Sequence, residues 1–188
     1  MDKYLEYYNT TKNGNLTQVL EDSFQEDLQS YNDFSEIRLG ILAHDLKFSF
    51  KQSHERGVSL NAEYMFSVPQ NAFFQMIFSP HPHFGVSINS GPGTSMAYTG
   101  LTWEFPVFTN WFVDVMLGGA IHNGHTNKQT THRKNYGARV LFHSGLALGY
   151  VFQERHTISL MVNHISGAKL CTPNPGFTDF GLRYGYRF

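Results

Sequence analysis

The residues best suited to chemistry are a histidine and a serine two positions apart, His164 and Ser166. In a β-strand such a pair lies on one face, because side chains alternate between the two faces of a sheet. A histidine that removes the proton of a serine hydroxyl creates a nucleophile for acyl transfer. On spacing alone, an unreactive pair of polar side chains remains the better interpretation, so the surrounding elements must decide.

The run that carries the pair, residues 156–166, alternates polar and apolar side chains as a strand does. The pair shares its face with three apolar residues, Ile158, Leu160 and Val162. An imidazole and a hydroxyl on an apolar wall are costly unless they have hydrogen-bond partners or a function. Their position therefore strengthens the hypothesis of a functional site.

Eight runs with a period of two lie after residue 35, separated by clusters of Gly, Pro, Asn and Ser. They cover roughly 36–50, 57–68, 82–90, 95–105, 110–122, 137–153, 156–167 and 177–188. Most are long enough to cross a bilayer at a tilt, and an even number closes into a barrel without free edges. We therefore predict an all-β fold, an eight-stranded antiparallel up-and-down transmembrane β-barrel over residues 36–188. Residues 1–35 are predicted to be a polar N-terminal extension.

One face of these runs is apolar and aromatic, and the other carries the charges. In the last run, aromatic and aliphatic side chains alternate with Asp179, Arg183 and Arg187. An eight-stranded lumen is just filled by side chains, so we expect the aromatic face to contact lipid and the charges to pair inside. The predicted lumen charges are Glu63, Glu104, Asp114, Asp179, Arg139, Arg183 and Arg187. The alternative is a soluble lipocalin-like barrel or sandwich, which would bury the apolar face instead.

Composition excludes several classes of protein. Charge is balanced, with 14 Lys and Arg against 15 Asp and Glu, so we expect no nucleic-acid partner. The single cysteine, Cys171, allows neither an internal disulfide nor a zinc site built from several thiolates. Four histidines, His44, His122, His125 and His132, lie on different runs or loops without zinc-ligand spacing, so no metal or other cofactor is expected.

Longer motifs around the pair carry a family resemblance. The segment 163–176, with its His-x-Ser motif and Asn-x-Gly loop, and the aromatic run 181–188 resemble the active-site region of the lipid A 3-O-deacylase (PagL-type) family. Segments 38–45, 59–63 and 118–124 are similar to its broader acyloxyacyl-hydrolase-like branch.

The resemblance implies an integral barrel in the outer membrane of a Gram-negative bacterium, with its site facing the outer leaflet. Its activity would be removal of an ester-linked acyl chain from lipid A of lipopolysaccharide, by 3-O-deacylation. Ser166 would be the nucleophile and His164 its base, and Asn174 would help to bind the oxyanion. The N–H of Gly167 would be a second donor, and acyl chains would lie along Leu160 and Val162. A monomer and a homodimer both remain open.

In an up-and-down barrel with both termini on the periplasmic side, the connections from odd to even strands are external, and one of them is a basic loop, 123–136. It contains His125, Lys128, His132, Arg133 and Lys134, which could meet the phosphates of lipopolysaccharide or could simply be solvated.

Two positions depart from the family pattern. Gly167 stands where the family usually has Asn, and Thr178 stands where it has the catalytic acid. A hydroxyl orients an imidazole but cannot stabilise the imidazolium as a carboxylate does. A β-bulge near Gly176 could instead turn Asp179 outward as the acid. Without such compensation, the alternative function is a catalytically weak or inactive barrel that is structural or binds lipopolysaccharide.

Overall fold

The computed structural model describes residues 33–46, 55–127, 133–173 and 175–188. From Phe34 to Phe188 the chain forms one closed antiparallel barrel, in which each strand pairs with its neighbours in sequence and β1 pairs with β8. The strands are β1 (Glu36–Ala43), β2 (Val58–Met65), β3 (His81–Asn89), β4 (Met96–Phe108), β5 (Trp111–His122), β6 (Val140–Phe152), β7 (His156–Ser166) and β8 (Phe177–Arg187). The predicted eight-stranded transmembrane barrel is therefore confirmed.

The side chains divide between the two faces as the alternation predicted. Along β8, Phe180, Leu182, Tyr184 and Tyr186 are exposed on the outer wall. The intervening Asp179, Arg183 and Arg187 are buried in the lumen. Because an aromatic exterior is stable only against lipid, this arrangement is that of a membrane barrel and not of a lipocalin.

The lumen is held together by ion pairs between facing strands. Arg38 of β1 lies 3.0 Å from Glu36, 3.3 Å from Glu63 and 2.9 Å from Asp114. Arg183 and Arg187 of β8 continue this network to Glu63 at 3.0 Å and to Glu104 at 2.7 Å. Each buried carboxylate in it thus faces a cation, as charges taken out of water require.

Several strand ends differ from the prediction by three residues or more, and two of these differences change where charged residues lie. β1 ends at Ala43 and not near residue 50, because Asp45 adopts a positive φ of 54° that a strand cannot continue. β6 begins at Val140, so Arg139 lies before the strand. The prediction that Arg139 lies in the lumen was therefore wrong. Its guanidinium donates to the carbonyls of His122, the last residue of β5, and of Gly124 in the loop that follows.

A short helix, α1 (Ala72–Met76), lies in the β2–β3 connection and was not predicted. Asn71 caps it by accepting a hydrogen bond from the N–H of Phe74 at 3.1 Å. Trp103, on the outer wall of β4, donates from Nε1 to the carbonyl of Ile77 at 2.7 Å. No helix among the described residues is long and apolar enough to cross a membrane.

The predicted N-terminal extension lies outside the described residues except at 33–35. Ser35 already belongs to the barrel edge, because it exchanges two backbone hydrogen bonds with Phe188 at 3.0 and 2.9 Å.

Candidate active site

His164 and Ser166 lie at the end of β7, on the outer wall, as the alternation predicted. Their side chains are half-buried and share the face of Val162 and Leu160. In the register of the sheet, Ser144 of β6 and Thr178 of β8 flank His164 on either side. We call these four residues, Ser144, His164, Ser166 and Thr178, the outer polar patch. Ser144 was missed in the sequence because a lone serine in a strand carries no signal of its own.

His164 is oriented by two contacts from the start of β8. Its Nδ1 lies 2.8 Å from the Thr178 hydroxyl oxygen. Its ring also packs over Gly176, where a Cβ atom would come within 3.1 Å of Cε1. Gly176 has a φ of +55°, so glycine is favoured there both by its backbone conformation and by the ring above it. The imidazole is thus held between the two residues Gly176 and Thr178.

Of the two predicted oxyanion donors, Gly167 lies in the turn after Ser166. Gly167 is buried and its carbonyl accepts a hydrogen bond from the N–H of Leu170 at 2.7 Å. Ala168 and Lys169 have positive φ angles of 48° and 65°, which turn the chain sharply back toward the barrel. Asn174 lies outside the described residues.

Asp179 faces the lumen and does not belong to the outer polar patch. The pairing of β8 with β7 runs through Asp179 and Thr178 without a register shift, so no bulge turns Asp179 outward. Its Oδ1 instead lies 2.9 Å from Nδ1 of His44. The hypothesis that a bulge makes Asp179 the acid that contacts His164 is therefore corrected. Thr178 is the residue that touches the imidazole.

A cluster of buried charges lies in the lumen behind this patch, and we call it the loop-end charge cluster. Its members are His44, Asp45, Glu55, Lys134 and Asp179. Lys134 was expected in a basic external loop that either meets lipopolysaccharide phosphates or is solvated. Its ammonium is instead buried and lies 2.7 Å from Asp45 Oδ1. His44 Nε2 lies 3.0 Å from Glu55 Oε2, so its ring is held between Glu55 and Asp179.

These pairs keep His44 and Glu55 ionised at neutral pH. Burial alone lowers the pKa of His44, but hydrogen bonds to Asp179 and Glu55 outweigh that effect and raise the pKa to about 9. Burial likewise raises the pKa of Glu55. Its hydrogen bonds to His44 and to the N–H groups of Lys134 and Thr94 dominate, and they lower the pKa to about 2.

Apolar surfaces flank the outer polar patch on both sides. A groove of about 1000 Å³ runs over the outer wall of β7, β8, β1, β2 and β3, and Leu160 and Phe180 line its edge near the patch. A smaller depression of about 270 Å³ lies on the other side, lined by Gly167 and by Phe142, the partner of Ser166 in the sheet. The outer polar patch is thus a small polar area on an otherwise apolar part of the outer wall.

Comparison with known proteins agrees with this architecture. The sequence model of the lipid A 3-O-deacylase (PagL) family matches residues 83–187. The fold is similar to the crystal structure of the outer membrane enzyme PagL, with a TM-score of 0.59 and 18% identity over 80% of this chain and 98% of that one. It is also similar to a de novo designed transmembrane β-barrel, with a TM-score of 0.50 and 9% identity over 82% and 95% of the two chains. No curated protein matches the chain by sequence.

The fold and the lipid-facing polar patch define a transmembrane β-barrel of the outer-membrane type with a candidate site on its outer wall. The family match covers more than half of the 188 residues, and the site-bearing strands lie within it. The chain therefore belongs to the lipid A 3-O-deacylase (PagL) family and is an enzyme of that class, a carboxylic ester hydrolase.

Proposed function

We propose that this barrel removes an acyl chain from lipid A by 3-O-deacylation, with Ser166 as nucleophile and His164 as general base. The contact between His164 Nδ1 and the Thr178 hydroxyl carries the proposal. If Nδ1 donates its proton to Thr178, then Nε2 is the unprotonated nitrogen that can accept the proton of Ser166. The orientation of the base would thus come from β8 and the nucleophile from β7.

The reaction would proceed in two balanced steps. Ser166 Oγ attacks the ester carbonyl while His164 takes its proton, and His164 then returns that proton to the departing sugar oxygen. Water, deprotonated by His164, next attacks the acyl-serine. The bond between Ser166 Oγ and the acyl carbon then breaks, His164 returns the proton to Ser166 Oγ, and the fatty acid is released. The N–H of Gly167 and the side chain of Asn174 would stabilise the oxyanion, a contribution worth about 10²–10³ in rate for one donor.

The substrate would reach the site from the membrane. Its acyl chains would lie along Leu160, Val162 and the groove beside them, where apolar surface is already exposed to lipid. The sugar and its phosphates would remain at headgroup level near the connecting loops, which would place this end of the barrel at the outer leaflet. A lipid substrate would then need no route through the filled lumen.

The test is mass spectrometry of lipid A after incubation with the full chain refolded in detergent. The wild-type protein should release one hydroxyacyl chain, and Ser166→Ala should release none while still migrating as a folded barrel on an unheated gel. Thr99→Ala is the matched control, because it removes a hydroxyl from the outer wall of β4, away from the patch.

Two results would contradict the proposal. Release of the chain by Ser166→Ala would remove Ser166 as nucleophile. Intact lipid A with a folded wild-type barrel would favour the alternative, an inactive barrel that binds lipopolysaccharide, and would point to Thr178 as the disabling change.

A further inference from the structure

The start of β8 is held from the lumen side by a buried ion pair. The ammonium of Lys134 lies 2.7 Å from Asp45 Oδ1 and donates to the carbonyl of Gly176 at 3.0 Å. Lys134 is 3% exposed and Asp45 is 4% exposed, so neither charge has bulk water as a substitute partner. Lys134 therefore ties the β5–β6 loop and the end of β1 to Gly176.

Three more contacts fix the residues that follow Gly176. The N–H of Leu46 donates to the carbonyl of Thr178 at 2.7 Å. The N–H of Asp45 donates to Asp179 Oδ1 at 3.1 Å. The side chain of Phe177 is buried, and its ring centroid lies 4.7 Å from that of His44. The three residues of β8 that adjoin the site are thus held by contacts with His44, Asp45 and Leu46, which follow β1.

The outer face of this same segment orients the candidate base. His164 touches Gly176 with its ring and Thr178 with its Nδ1. We propose that Lys134 and Asp45 are positioning residues, whose ion pair holds Gly176 and Thr178 in place and thereby aims the His164 imidazole at Ser166. This inference rests on the proposed function only in taking His164 as the base.

The expected loss of rate follows from the displacement of His164 that removal of the ion pair would cause. Removing the ammonium leaves Asp45 as a buried carboxylate without that cation and leaves the Gly176 carbonyl without its donor, so the segment must shift to recover partners. A misplacement of about 1 Å in a reacting group costs about 10²-fold in rate. Because neither Lys134 nor Asp45 faces the outer wall, binding of the lipid should be unaffected by their substitution.

The experiment compares Lys134→Met, Thr178→Val and the double variant in the full refolded chain. We expect Lys134→Met to lower kcat by about 10- to 100-fold with KM unchanged. The double variant should be no slower than the slower single variant, because both changes act through one contact. Lys134→Arg, which keeps the charge, should recover part of the rate.

Arg187→Met is the matched control, because it removes a buried lumen cation from the opposite end of β8, where Arg187 pairs with Glu36 and Glu104. Its effect on kcat should be small and should multiply with that of Thr178→Val. A merely structural role for Lys134 would give the same multiplicative pattern, and that result would overturn the inference.

A second measurement does not depend on activity. In protein labelled with ¹⁵N-histidine, the ring signals of His164 are identified by their loss in His164→Gln. Lys134→Met should move them as Thr178→Val does, and unchanged signals would overturn the inference even if wild-type protein left lipid A intact. If Lys134→Met does not fold, Asp45→Asn removes the same ion pair with little change of shape and is judged by the same criteria.

Discussion

At the scale of single residues, the open chemical question is the hydroxyl of Thr178 in contact with His164. A neutral hydroxyl fixes the imidazole tautomer but offers no charge to the imidazolium that forms in the transition state. We expect Thr178→Asp to raise kcat by at least about 10-fold, since a carboxylate would supply that charge. Release of fatty acid from lipid A at saturating substrate measures the change.

The control for this prediction is Thr178→Asn, which has the shape of the aspartate without its charge. It should not exceed the wild-type rate. Equal rates for the two variants would mean that the charge at this position does not act on the transition state.

At the scale of elements, the turn into β8 is the part most sensitive to small changes. A Cβ atom at Gly176 would lie 2.7 Å from the Ile165 carbonyl and 3.1 Å from the His164 ring. Gly176→Ala should therefore push the imidazole away and lower kcat by about 100-fold, while the barrel still folds. Activity and gel mobility of the unheated protein measure the two parts of this prediction.

Gly91→Ala serves as the control at the same end of the barrel. Among the residues that the structure describes, a Cβ there would meet only Asn89 Oδ1 at 3.4 Å and the Arg56 carbonyl at 3.7 Å within 4 Å. Its activity should equal that of wild type. A similar loss in both variants would show that this end of the barrel tolerates no added methyl group, and it would contradict displacement of His164 as the cause.

At the scale of the whole molecule, the loop-end charge cluster links stability to pH. His44 faces Asp179, Glu55 and Ser59, and the Lys134–Asp45 pair completes the cluster. The pKa of His44 is raised to about 9 from 6.5, so the protonated form of His44 stabilises the fold fully below pH 6.5. That contribution, at most about 3 kcal/mol, is lost as the pH rises from 6.5 through 9.

Denaturant unfolding of the refolded barrel between pH 6 and about 10 tests this prediction. The free energy of unfolding should fall over that range in wild type, and the fall should be smaller in His44→Gln, which has no group to titrate there. Glu55 does not contribute to this fall in stability. Its pKa is lowered to about 2, so the stabilisation by its carboxylate is lost only at pH values far below this range. Parallel curves for the two proteins would show that His44 is not the group responsible.

Much of the fold could be read from local patterns. Alternation fixes which side chains share a face, so the eight strands, the charged lumen and the outward position of His164 and Ser166 were all predictable. The family resemblance predicted the activity and the position at which a catalytic acid was expected. The ends of the strands were harder to predict from the sequence. A positive φ, as at Asp45 or Gly137, depends on the tertiary environment as much as on the residue type.

The sequence by itself determined the barrel, its faces and the candidate Ser–His pair, because each depends on side-chain order within a single strand. Only the tertiary structure decided that Asp179 binds His44, that Lys134 is buried against Gly176, and that Thr178 touches His164. The first two contacts join residues far apart in the chain, which become neighbours only when β1 closes against β8 and the loops fold into the barrel mouth. The third depends on the register of β7 with β8, which pairs His164 with Thr178. A side chain's type shows what it can bind, whereas closure of the barrel decides which partner it meets.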